Sequence, residues 1–333
     1  MTPPDIRPDL RPKRYPPPEF PPRHPRLFAR TPPAVFPAIL GLLGLASALR
    51  LGLGQLGWDQ GPGDLAVGLA VALWAFAAVA YLAKAARRPG VLREDLRVLP
   101  GRAGLATLTM GGMVAAGLVG VYSPVAATVL LVLAFLCHAG LAALLLQLLT
   151  GLPAEARAVN PTLHLGFVGF IVAAAPALSL GWAGLAEALF WAVIPVAVAI
   201  WGLSLRQFAG AVPPPPLRPL LAIHLAPAAL LALVAGLLDK PGLALAFLGL
   251  GSAYALVLLA AGRWLTAAGP SPLWGAFTFP LAAMASALMV NGWLWPGLAL
   301  VALGLGIIPA IAWWVLKRWP GGKLAAMTNA AEA

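Results

Sequence analysis

Charge is scarce in this sequence, and acidic charge scarcest: 10% of its 333 residues are charged, with 11 Asp and Glu against 22 Lys and Arg. An ordinary soluble domain carries about a quarter charged residues, so no part of the chain reads as a soluble catalytic domain. A single cysteine, Cys137, excludes an intramolecular disulfide and any multi-cysteine metal or cluster site. The 4 histidines and few carboxylates fall into no group with metal-ligand spacing. Neither a glycine-rich phosphate loop nor a nucleophile beside a base is visible. No enzyme, cofactor, metal or nucleic-acid partner is expected, because the positions of the charges explain the formal +11 in another way.

Apolar residues are abundant, at 61% of the chain. Runs of the length that crosses a bilayer, roughly 20 residues, recur from Val35 to Val315. Charges, prolines and glycines bound ten of them, at 34–53, 63–85, 103–122, 124–149, 162–181, 183–206, 218–238, 241–263, 271–290 and 293–317. This is the pattern of an all-α polytopic membrane protein in a lipid bilayer. Residues 1–33 form a proline-rich basic tail that cannot bury enough apolar surface to order itself. Residues 34–318 form the membrane domain, and 319–333 a short C-terminal tail.

Lysine and arginine collect in cytoplasmic connections. Seven lie in the tail, six between the second and third spans (Lys84, Arg87, Arg88, Arg93, Arg97, Arg102), four in later connections of the same parity and three after the last span. That places 20 of the 22 on one side, with Arg50 and Lys240 opposite. Both termini are therefore expected in the cytoplasm, and the protein in the inner (plasma) membrane of a bacterium. The outer connections "VYSP", "SLGW" and "VNGW" are very short, so the chain reads as five helical hairpins. Odd spans run outward and even spans return.

On a helical wheel of the ninth span, the positions beside Phe279 are Gly275, Ala276, Ala282, Ala283 and Ser286, all small. Phe277 belongs to another face, with Trp274, Leu281 and Met284. Small stripes also run along the first span (Pro37, Gly41, Gly44, Ala48), the third (Gly104, Thr107, Gly111, Ala115), the fifth (Gly166, Gly169, Ala173, Pro176) and the seventh (Ala222, Ala226, Ala229, Gly236). Such a stripe either lets helices approach closely or leaves open volume along an axis, and the spacing alone does not choose. If the odd spans surround an axis, Phe279 projects into it. Pro37, Pro176, Pro227 and Pro280 fall inside odd spans and are expected to kink them.

Ionisable residues at membrane depth are the default functional candidates. Glu187 lies near the outer start of the sixth span, His138 in the fourth, His164 at the opening of the fifth and His224 in the seventh. Glu187 or His224 is a proton or polar site if transport is proton-coupled; otherwise they are a solvated carboxyl and a histidine bonded between helices. The near absence of interior charge, with arginines at the cytoplasmic mouth, fits anions better than cations.

Three stretches carry a resemblance: "VNPTLHLGFVGFIVAAAP" (159–176), "PPPPLRPLLAIHLAPAALLAL" (213–233) and "WGAFTFPLAAMA" (274–285). With their Val-Gly-x-Ile-Val, Ile-x-x-Ala-Pro and Thr-Phe-Pro cores, they resemble the fifth, seventh and ninth spans of the tellurite-resistance/dicarboxylate transporter family. Its members include bacterial TehA, fungal malate and sulfite transporters and plant slow-type anion channels. The resemblance implies ten helices in five hairpins around a quasi-fivefold central pore, odd helices inside, assembled as a homotrimer. It implies a pore gated by the phenylalanine matching Phe279, kinks at Pro37, Pro176, Pro227 and Pro280, and further lining by residues such as Gly41, Gly44, Gly111, Gly166, Gly169 and Phe277. The cargo it implies is a small anion: chloride, nitrate, malate, sulfite or a tellurite-related oxyanion. A proton-coupled carrier for dicarboxylates or sulfite is the alternative.

Overall fold

The computed structural model describes residues 26–151 and 159–333. The tail up to residue 25 and the connection that carries Arg157 lie outside the described residues. Among the described residues the secondary structure is helical throughout. Nine helices are long and apolar enough to cross a membrane: α1 (Pro33–Gln55), α2 (Gly61–Arg87), α3 (Leu99–Val119), α4 (Pro124–Gly151), α6 (Ala183–Gly210), α7 (Pro215–Leu237), α8 (Pro241–Ala260), α9 (Pro272–Val290) and α10 (Leu294–Leu316). A shorter apolar segment, α5 (His164–Ser179), lies between α4 and α6.

Packing follows chain parity. The odd segments contact one another in a closed cycle: α1 on α3, α3 on α5, α5 on α7, α7 on α9, and α9 back on α1. Each even helix sits on two odd neighbours, α2 on α1 and α3, for example, and α10 on α9 and α1. Burial alternates accordingly. In the most apolar stretch of α1, α3, α7 and α9, 67–78% of residues are buried, against 17–33% in the even helices. The even helices expose Leu133, Leu136, Val198, Leu256 and Leu259, an apolar surface that water would not tolerate and lipid requires.

Two of the turns opposite the termini, between α5 and α6 and between α9 and α10, share one device. Gly181 (φ 81°) and Gly292 (φ 84°) take the left-handed conformation that an L side chain disfavours. The next residue's N–H then reaches back five positions, Trp182 to Ala177 O at 2.8 Å and Trp293 to Leu288 O at 2.9 Å. That satisfies a carbonyl left open at the helix end and reverses the chain within a few residues.

At the terminal end, one fully buried ion pair gathers four separate segments. Lys84 Nζ lies 2.9 Å from Asp95 Oδ2, with neither side chain exposed. Tyr81 OH donates to the same oxygen at 2.9 Å, Ala331 N donates to Oδ1 at 2.8 Å, and Lys84 Nζ also donates to Thr31 O at 3.0 Å. Asp95 belongs to a short helix, Gly90–Arg97, and Gly101 of α3 approaches its backbone so closely that a Cβ would overlap it. Lys84, counted among the loop charges by sequence, is thus an interior residue. The final segment docks here too, through Arg30 to Glu332 at 2.9 Å and Ala333 N to Ala29 O at 3.2 Å.

Removing one partner strands a buried charge, which costs about 3–5 kcal/mol. Asp95→Ala is expected to lower the thermal unfolding midpoint in detergent sharply, and Lys84→Met added to it to recover part of the loss. An unchanged midpoint for Asp95→Ala would show that the pair contributes nothing.

Candidate functional site

The odd segments are not uniform α-helices. α9 begins as a 3-10 helix over Pro272–Phe277 and becomes α-helical at Thr278. α7 is 3-10 over Pro215–His224 and α-helical from Leu225. α5 passes from a π turn through Gly169–Ala173 (3-10) to α at Ala174, and α1 turns α-helical at Phe36. Pro37, Pro176, Pro227 and Pro280 each stand in the first turn after such a change. An α-helix needs no N–H to an i−4 carbonyl there, so proline is tolerated without a broken ladder. The expected mid-helix kinks are corrected to points where a tight helical segment hands over to an α-helix.

Thr278 secures the handover in α9. Its Oγ1 donates to Gly275 O at 2.7 Å and lies 3.1 Å from Pro37 O of α1. Gly41 makes room for it, since a Cβ there would overlap the Thr278 side chain. One turn along, a Cβ on Gly44 would lie 3.0 Å from Phe279 Cδ2, so the ring rests on the bare backbone of α1. Gly275 completes the approach, a Cβ there coming 2.8 Å from Pro37 Cβ.

Phe279 lies between two cavities. The cavity on the side away from the termini holds about 540 Å³ and is lined by Gly44 and Arg50 of α1, Gly117 of α3, Pro176 of α5, Leu230 of α7, and Ala282, Ala283 and Ser286 of α9. The cavity on the terminal side holds about 30 Å³ and is lined by Pro37, Thr107, Leu165, Ile223, Gly275, Ala276 and Pro280, again from all five odd segments. Among the described residues Phe279 is the one that lines both. The small stripe around it on the wheel is divided between the two walls.

The family model described as the voltage-dependent anion channel matches residues 30–317. The chain belongs to the voltage-dependent anion channel family. Among curated proteins none matches it. As a member of that family it is an integral membrane protein of anion transport.

Other expected site residues of this family member fall elsewhere. Gly41 serves the α1–α9 contact. Gly111 faces Trp74 of α2, where a Cβ would come within 2.7 Å of the indole; Gly166 faces Leu145 (2.8 Å) and Gly169 faces His138 (3.0 Å) on α4. These three let inner segments approach outer helices and line neither cavity, and of the glycines named as lining only Gly44 does so. Phe277 packs edge-on against Trp274, with ring centroids 6.2 Å apart. Pro227 also lies off both walls.

Glu187 is half exposed and paired with Lys240 at 2.7 Å, with Trp191 Nε1 at 3.4 Å. His224 is buried, its Nδ1 2.9 Å from His164 Nε2, and its carbonyl accepts from Trp201. His138 Nδ1 lies 2.7 Å from Thr109 Oγ1. None of these four lines either cavity. Among the described residues no three His, Cys, Asp or Glu side chains gather as a metal site would need.

Sequence reasoning left out Arg50, treating it only as a topological exception. Its place on the wall is visible in its spacing, three residues beyond Ser47 and four before Gly54, both of which line the same cavity. Its Nε donates to Asp64 Oδ1 at 2.8 Å. The Asp64 carboxylate also pushes the pKa of the Tyr122 phenol up.

The two α1 glycines should respond differently to a methyl group. Gly41→Ala meets a β-branched side chain held by two carbonyls and is expected to fail in yield or lose thermal stability by several kcal/mol, as overpacked sites do at about 1–3 kcal/mol or more. Gly44→Ala meets a ring edge that can turn and, at 3.1 Å, the Ala282 Cβ, a far milder overlap, and should remain monodisperse on size exclusion. Equal behaviour of the two would contradict this geometry.

Proposed function

We propose that the odd segments enclose a pore for small anions and that Phe279 closes it. The observation that carries the reading is the single ring shared by two cavities whose walls come from the same five segments. The wall residues beside the ring, Gly44, Ala276, Pro280, Ala282 and Ala283, are apolar, so the constriction can block ions by excluding the water that would hydrate them. Among the described residues Arg50 is the only charged one on either wall, and none there is acidic. Both facts favour an anion. In this reading the spans number ten, α5 crosses with the rest, and the termini are cytoplasmic. The protein assembles as a homotrimer of TehA type in a bacterial inner membrane, and transports rather than catalyses.

A channel-like mechanism is favoured over the proton-coupled carrier by the placement of the titratable groups. Glu187 is tied to Lys240 at the protein surface, and the His164–His224 pair lies behind the wall. Chloride, nitrate, malate, sulfite and tellurite-related oxyanions are the cargo to be tested, with tellurite resistance as a physiological readout.

Phe279→Ala joins the two cavities and should raise anion flux in proteoliposomes on the order of tenfold or more, as removal of a hydrophobic constriction does. Cation flux should stay at background. A well-folded variant with wild-type flux for every anion would remove the gate from this reading.

A further inference from the structure

We infer that Arg50 is an anion-capture residue, holding a small planar oxyanion such as nitrate or a carboxylate in the larger cavity before it reaches Phe279. The inference rests on the reading of the two cavities as one conduit, and adds to it a site and a class of ligand.

Four observations carry it. First, the guanidinium is held in place. Its Nε is committed to Asp64 at 2.8 Å, its carbon lies 5.8 Å from the centre of the Tyr122 ring, and its stem lies against Gly63, where a Cβ would come 3.1 Å from Arg50 Cα. Second, the two Nη groups have no hydrogen-bond partner among the described residues, while the residue lines a cavity of about 540 Å³. Guanidinium N–H groups seldom go unpaired without water or a ligand to accept from them. Parallel N–H bonds from the two Nη atoms match two coplanar oxygens of a carboxylate or nitrate, a geometry that a spherical ion cannot use. Third, the charge is partly withdrawn from solvent, the side chain being 23% exposed, which strengthens attraction over that at an open surface.

Fourth, Asp64 tempers the site. The carboxylate beside Nε offsets part of the positive charge. A conducting pathway needs capture strong enough to draw an ion in and weak enough to release it. Lys240 makes the contrast clear. It is the other basic residue on this side by sequence, but it is paired with Glu187 at 2.7 Å and lies off the cavity wall. Ser47 and Ser286 add hydroxyls to the wall that Arg50 shares.

The test uses full-length protein in detergent, following the unfolding midpoint as sodium nitrate replaces sodium chloride at constant ionic strength. The wild type should gain a saturable rise. Arg50→Gln should lose it, with half-saturation shifted at least about tenfold, the scale of a lost charge-assisted pair. Arg50→Lys keeps the charge without the fork and should lose the preference for nitrate over chloride. Asp64→Asn frees the guanidinium and should half-saturate at several-fold lower nitrate, an opposite shift that misfolding cannot imitate.

A saturable rise in Arg50→Gln equal to that of the wild type, no rise in the wild type, or weaker binding in Asp64→Asn would each overturn the proposal. Flux separates it from the gate. In a Phe279→Ala background, Arg50→Gln should raise the nitrate concentration for half-maximal flux about tenfold. Flux present but unchanged by Arg50→Gln ends the capture site and leaves the gate standing. Flux absent from Phe279→Ala ends the gate, and the midpoint titration then decides Arg50 alone.

Discussion

A threonine hydroxyl shared between two carbonyls sets the geometry on which the interior depends. Thr278 Oγ1 reaches Gly275 O in its own segment and Pro37 O in the first. In a bilayer an open carbonyl has no water to turn to, so a side chain that satisfies it fixes where the backbone can change its winding. The α-helix of α9 starts at that threonine, which puts Phe279 in its first turn and Pro280 beside it. Gly41 completes the constraint by having no side chain. Any Cβ there would push α9 away from α1 and shift the ring with it.

The division between inner and outer segments follows from the two solvents each must face. Even helices carry large aliphatic residues outward into lipid and touch the protein along a narrow face. Odd segments are covered on nearly every side, so they can tolerate 3-10 and π turns whose strained hydrogen bonds would be costly against hydrocarbon. The irregular parts of α5, α7 and α9 all lie toward the terminal side of their α-helical parts. The narrow cavity lies among those turns and the wide one among the regular helices.

Much of this was legible in the sequence, for identifiable reasons. Hydropathy placed nine long apolar helices, because a membrane span must be about as long as the bilayer is thick whatever it packs against; the fifth predicted span is a shorter apolar segment. The wheel isolated Phe279, since the small residues around it share a face whether that face borders a cavity or a helix. The same logic misassigned Gly111, Gly166 and Gly169. A missing Cβ admits a neighbouring indole, leucine or imidazole as readily as it leaves space, and the partner is a tertiary fact. The sequence pattern predicts kinks at Pro37, Pro176, Pro227 and Pro280, and each stands in the first turn of an α-helix. Whether a proline breaks a helix or begins one depends on where the preceding turn tightens, which Thr278 and Gly41 decide together. Lys84 and Arg50 were read only by sign and side, and the structure turns one into a buried tie and the other into a cavity wall.

Those two cations show how a chain with so few charges uses them. Lys84 is neutralised by Asp95 and enclosed by three further hydrogen bonds to the pair, which makes it a fixed point joining the chain's ends. Arg50 is bonded to Asp64 through one nitrogen and left open at the other two. The difference lies in the coordination of the carboxylate. Asp95 accepts from Lys84, Tyr81 and the Ala331 backbone inside the protein, so its pair is complete and inert. Asp64 sits at an exposed edge and serves Arg50 from one side only. Among the described residues no other charged side chain lines either wall, so that guanidinium, only partly offset by Asp64 behind it, is the dominant electrostatic feature of the larger cavity. A bare apolar passage has little power to tell one ion from another. In the proposed conduit, a single oriented cation at the wide end would give the passage a sign.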